Sequence, residues 1–128
     1  MRYGCGIEAV DAETLMNSPL PSEHFIVDGL LPYGVNLIGG AGKIGKSWLM
    51  LDLALKVATG EPLWDMKTEK CDVLYFCLED TYCRIQKRLF SLVDEAPPNL
   101  RFAVMARPLS CGLDRDICEY LLDRKSVV

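Results

Sequence analysis

The sequence predicts an α/β fold, a mostly parallel sheet with flanking helices, and three observations carry that prediction. Short apolar runs of strand length alternate with longer amphipathic segments in the order strand, helix, strand, helix, strand, helix. The runs Val35–Ile38, apolar but for Asn36, and Val73–Leu78 suit strands buried on both faces in a parallel sheet. A glycine-rich turn joins the first of those runs to the first long helix.

Taken in order, residues 1–34 carry weak periodicity. The stretches Asn17–Glu23 and Leu30–Gly34 read as turns around a short apolar run, Phe25–Val27, and the whole is expected to be a lead-in packed on the domain. Val35–Ile38 is expected to be the first strand. From Ser47 to Thr59, apolar residues recur at three and four, with Asp52 and Lys56 spaced as an i,i+4 pair, so this segment is a helix. Gly60 and Pro62 stop it. Val73–Leu78 is the second strand and runs into Glu79 and Asp80. Ile85, Leu89, Leu92 and Val93 form the stripe of the next helix, capped by Asp80 or Thr81 and ended by Ala96–Asn99. Leu100–Met105 is the third strand, and Asp114 or Asp116 opens a helix through Leu122. The core is thus expected over residues 35–122.

Composition bounds the function classes. With 128 residues, 50% hydrophobic and 25% charged, the chain holds one soluble domain or a piece of a larger one. Such a core needs no disulfide or metal to supplement it. The six cysteines, Cys5, Cys71, Cys77, Cys83, Cys111 and Cys118, form no C-x-x-C pair, and a single histidine cannot complete a zinc set, so reduced thiols are expected. No apolar segment approaches the ~20 residues that cross a bilayer, and the N-terminus lacks the order of a secretory signal, so the expectation is a cytoplasmic protein with no membrane partner. A net charge of -4 argues against a strongly basic nucleic-acid surface on this chain.

The chemistry concentrates in one segment. Gly40, Gly45, Lys46 and Ser47 fit G-x-x-x-x-G-K-[ST], with Ala41, Gly42, Lys43 and Ile44 at the free positions. Glycines between a strand and a helix let backbone N–H groups wrap around a phosphate, and the helix end adds partial positive charge. Lys46 can reach β and γ phosphates, and the Ser47 hydroxyl can ligate a Mg²⁺ that bridges them. The alternative is a plain glycine turn, which has no use for Lys-Ser at those positions. A parallel sheet delivers its strand ends to the same crevice, and there the sequence carries Glu79 and Asp80. One carboxylate there can activate a water toward a γ-phosphate; the competing reading is that either acid only caps the following helix.

With these residues in view, Val27–Trp64 followed by Val73–Leu89 resembles the RecA-like AAA-domain ATPases of the RepA type, the group that includes hexameric plasmid replicative helicases. The resemblance runs from about Asp11 to Leu92 and rests on Lys43 inside the loop, the K-I-G-K-S-W-L continuation, the helix end Ala58–Gly60, and Leu78-Glu79-Asp80. It implies a partial RecA-like P-loop NTPase fold in which Gly40–Ser47 hold ATP and Mg²⁺ and Glu79 is the catalytic carboxylate. It also implies that Arg88 lies near the base, against the plainer reading of a solvated helix face for Arg84, Lys87 and Arg88. Trp48 adjoins the loop and is counted with the nucleotide site, although packing explains it and Trp64 as well. A homo-oligomeric ring such as a hexamer would follow for the full-length protein, with DNA contacts expected through residues this chain does not contain.

The chain departs from that pattern after Leu122. The acid-ended Walker B strand, the DNA-binding loops and an arginine finger are not found, so the fold is expected to be truncated before that strand. Asp123–Val128 matches one reading frame of a widely used sequencing adapter and is expected to be a non-native tail. The leading expectation is therefore ATP binding, with hydrolysis coupled to DNA replication or mobilisation in the complete protein. A small-molecule P-loop kinase and a non-catalytic nucleotide-binding module remain as alternatives.

Overall fold

A computed structural model describes residues 6–20 and 22–126, with side chains as far as 123. Cys5, Pro21, Val127 and Val128 lie outside the described residues. Helix α1 (Ala12–Asn17) starts where the Asp11 carboxylate accepts the Thr14 amide at 2.8 Å and its hydroxyl at 2.6 Å. No residue of α1 is buried. Strands β1 (Phe25–Val27) and β2 (Leu31–Pro32) then form an antiparallel hairpin, turning through Gly29 at φ 72°. The hairpin is fastened by Glu69 N–H donating to the Ile26 carbonyl at 2.8 Å and Asp28 N–H donating to that of Lys67 at 2.9 Å. Val27 is fully buried against Leu53, Val57 and Leu63.

Helix α2 (Lys46–Thr59) is the centre of the packing. Leu53 and Val57 face the hairpin, while Ala54, Leu55 and Ala58 face Leu100 and the sheet. The small Ala54 and Ala58, one turn apart, let the sheet approach the helix closely. Each large aliphatic side chain buried here contributes about 1.5–3 kcal/mol. The helix ends at Gly60, whose φ of 77° only glycine adopts at little cost and whose N–H donates to the Lys56 carbonyl at 2.8 Å. The expected Asp52–Lys56 pair does not form; the Lys56 ammonium turns toward the C-terminus and pairs with Glu61 at 3.2 Å.

Strands β3 (Val73–Phe76) and β4 (Leu100–Ala103) pair in parallel, in register from Val73 with Leu100 to Phe76 with Ala103. Helix α3 (Tyr82–Leu92) connects them, so this is the strand, helix, strand unit the sequence predicts. Thr81 is the cap, its hydroxyl accepting the Arg84 amide. Asn99 ties the unit to α2: its side-chain amide donates to the Ala58 carbonyl at 2.8 Å and the Cys71 carbonyl at 3.2 Å. A 3-10 turn (Leu109–Cys111) leads into α4 (Leu113–Ser126), where the Arg107 guanidinium pairs with Asp116. This small α/β arrangement is compatible with a partial P-loop NTPase fold.

Several strand expectations need correction. Val35–Ile38 forms no strand: Val35 and Leu37 are almost wholly exposed, and no other strand lies in hydrogen-bonding register with them among the described residues. An apolar run becomes a strand only with a ladder partner, and β3 and β4 pair with each other instead. The Asn36 amide reaches back to the carbonyls of Pro32 and Gly34, holding the segment in a local bend. The other two strands are shorter than expected, ending at Phe76 and Ala103, because each runs only as far as its four-residue partner. Nor are they buried on both faces. Val73 and Tyr75 pack toward α2, whereas Leu74 and Phe76 line an open groove against α4.

Candidate functional site

The glycine segment leaves Ile38 and enters α2 with a backbone few residues accept. Lys43 stands at φ 62° and Gly45, the N-cap of α2, at φ 95°. A Cβ on Gly40 would lie 2.7 Å from Ile44 Cδ1 and 3.5 Å from Lys46 Cδ, so the Ile44 side chain and the Lys46 stem close over that glycine. Ala41, Gly42 and Lys43 form the exposed tip of the loop. The Lys46 ammonium donates at 2.6 Å to each of the Gly40 and Ala41 carbonyls, stitching the loop across its own mouth.

The N-terminus of α2 faces the same place. Leu49 is the first amide to bond back, to the Gly45 carbonyl at 3.0 Å, which leaves the amides of Lys46, Ser47 and Trp48 without helical acceptors. Gly45 has no side chain to satisfy them. Three outward N–H groups, a helix dipole and one ammonium make this turn a fit for an anionic oxygen cluster.

Ser47 is shared with a second feature. A cleft of about 330 Å³ is lined by Ser47 from α2, by Glu79 and Asp80 beyond the end of β3, and by Arg84 and Arg88 from α3. The fold thus draws Ser47, Glu79 and Arg88 together, although 32 positions separate the first two. The two carboxylates differ sharply in their commitments. Asp80, its side chain 16% exposed, places one oxygen 2.9 Å from Arg84 and the other 3.0 Å from Arg88. Glu79 is exposed and has no hydrogen bond or ion pair among the described residues. The Arg88 guanidinium in turn lies 5.3 Å from the centre of the Trp48 ring, a cation-π contact.

Tyr75 and Cys77 also line the cleft. Burial pushes the Tyr75 hydroxyl and the Cys77 thiol above their ordinary values, with the Asp80 charge adding to both. Neither group serves as an anion near neutrality. No cluster of three or more His, Cys, Asp or Glu side chains stands ready for a metal among the described residues. A Mg²⁺ here would take Ser47 and phosphate oxygens, completed by water, which is how this ion is commonly held.

Sequence reasoning did not identify Asp80 as the partner of two arginines. The signal was present in the spacing, since Asp80, Arg84 and Arg88 recur every four residues and share one side of a helix with its lead-in. Among the described residues, the thiols of Cys71, Cys77, Cys83, Cys111 and Cys118 are unbridged. Among the described residues, no helix is long and apolar enough to cross a membrane.

Compared with known families, residues 4–113 match a family model described as an AAA domain. No curated protein and no solved structure matches the chain.

Proposed function

Because the chain belongs to the AAA domain family, we propose that it binds Mg²⁺-ATP through Gly40–Ser47 and that Glu79 activates the water that attacks the γ-phosphate. The observation that carries this reading is the shared cleft of Ser47 and Glu79, in which Asp80 is occupied by two arginines and Glu79 is not. Both Asp80 oxygens are engaged by guanidinium groups, whereas the uncommitted Glu79 carboxylate at the cleft edge is open to an attacking water.

The loop performs the grip. The amides of Lys46, Ser47 and Trp48 and those of the glycine turn donate to phosphate oxygens, and the Lys46 ammonium exchanges its bonds to Gly40 and Ala41 for β and γ oxygens. Ser47 offers its hydroxyl to Mg²⁺, which when bound neutralises part of the phosphate charge. Trp48 and Arg88 present a stacked aromatic and guanidinium face beside the cleft, suited to the nucleotide base.

At the level of the whole protein we assign the ATPase to the RepA-type, helicase-like group, working as a homo-oligomeric ring in DNA replication or mobilisation. The loop sequence K-I-G-K-S-W-L and the Leu78-Glu79-Asp80 run just beyond β3 support that assignment. The kinase and non-catalytic readings share the phosphate grip and differ at Glu79. A thermal-shift series with Mg²⁺ and ATP, alongside phosphate release, tests the proposal: stabilisation with release supports it, stabilisation without release leaves a binding module, and no stabilisation rejects nucleotide binding altogether.

A further inference from the structure

Resting on that proposed function, we infer that Asp80 is a positioning residue: through Arg84 and Arg88, and through the contact of Arg88 with Trp48, it ties the turn that bears Glu79 to the first turn of α2. Among the described residues, the Glu79 carboxylate makes no hydrogen bond or ion pair that would hold it. Its placement therefore depends on the residues flanking it. On one side, Cys77 is anchored to β4, its amide donating to the Ala103 carbonyl at 2.9 Å and its thiol lying 3.4 Å from the same oxygen. On the other side stands Asp80, whose amide closes the turn to the Cys77 carbonyl at 3.2 Å.

The Asp80 carboxylate extends that anchor outward. Arg84 comes from the first turn of α3 and Arg88 from the next, so the two pairs fix the carboxylate against a rigid helix. Arg88 continues the path to the Trp48 ring, one residue past Ser47. A single chain of contacts thus runs from the phosphate-binding end of α2 to the turn carrying Glu79. Its function is to set the distance between the two halves of the reaction, which matters because a misplacement of ~1 Å can cost on the order of 10²-fold in rate.

The test uses the full chain with Trp64→Phe, which leaves Trp48 as the single tryptophan. Steady-state kcat and KM for ATP and acrylamide quenching of Trp48 are measured for this parent and for Asp80→Asn. The expected result is a roughly 10- to 100-fold fall in kcat with KM within about threefold, and stronger quenching as Arg88 is released. Asp80→Glu restores part of the kcat. Arg84→Gln, which leaves the Arg88 pair in place, gives a smaller fall of the same kind and serves if Asp80→Asn does not fold. Equal kcat in the parent and Asp80→Asn, or a KM that rises by as much as kcat falls, overturns the positioning role. Unchanged Trp48 quenching overturns the physical link. A parent without turnover overturns the ATPase function instead, and the quenching result then decides the link by itself.

Discussion

Lys46→Ala separates a phosphate grip from a glycine turn. In the folded chain the Lys46 ammonium donates to the Gly40 and Ala41 carbonyls at 2.6 Å each, both at the exposed loop mouth. Those carbonyls turn to water when the side chain is removed, so the ligand-free protein should lose less than about 0.5 kcal/mol and its Tm should move by roughly 2 °C or less. The ligand-bound protein responds differently. Parent protein at ~100 times Kd gains about 2.7 kcal/mol from the nucleotide, which for a chain of this size raises Tm by roughly 10 °C. Exchanging two carbonyl bonds for two bonds to charged phosphate oxygens is worth about 2 kcal/mol, so the variant should bind about 30-fold more weakly. At the same ATP concentration it keeps a gain of about 0.9 kcal/mol, a shift of roughly 3 °C. Turnover should fall further, since deleting one donor to a developing transition state costs about 3 kcal/mol. Differential scanning fluorimetry with and without Mg²⁺-ATP reads both numbers. An unchanged ATP-induced shift in Lys46→Ala would refute the reasoning, as would a large loss of stability without ligand.

Two further predictions concern the scaffold. Asn99→Ala leaves the Ala58 and Cys71 carbonyls without their donor and should cost about 2 kcal/mol, lowering the calorimetric Tm by roughly 8 °C; an unchanged Tm would remove Asn99 from the account. Burial holds the Cys71 and Cys77 thiols and the Tyr75 hydroxyl above their ordinary values, so the folded chain keeps these protons longer than the unfolded one. The resulting stability is complete below the ordinary thiol value of about 8.5 and is lost as pH rises through the raised values. Urea midpoints should fall between neutral pH and about 10, and a flat profile would contradict the burial of these groups.

Much of this architecture was legible in the sequence, and the parts that were not share a cause. Helix α2 and its stop at Gly60 follow from local chemistry, spacing and a positive φ, which a sequence carries directly. The parallel pairing of β3 and β4 follows from the helix between them. Val35–Ile38 has the same apolar character but no strand forms, because pairing depends on what lies alongside in space, which composition does not encode. Lys56 chose Glu61 over Asp52 for a similar reason: both partners are within reach, and the geometry of the helix end decides. At the cleft, the G-x-x-x-x-G-K-[ST] spacing singled out Gly40–Ser47, and the packing of α2 on β3, with no strand formed by Val35–Ile38, puts Ser47 and Glu79 in one cleft. Which of Glu79 and Asp80 is engaged required side-chain positions, since only the approach of Arg84 and Arg88 shows which carboxylate is occupied.

The central claim is that Glu79 activates water beside a phosphate-binding loop, and phosphate release from Mg²⁺-ATP by the parent chain and by Glu79→Gln tests it most directly. Glutamine keeps the size and loses the proton acceptor. The account predicts that release falls by roughly 10²-fold or more while the ATP-induced rise in Tm is retained. Equal release by the two proteins would contradict it.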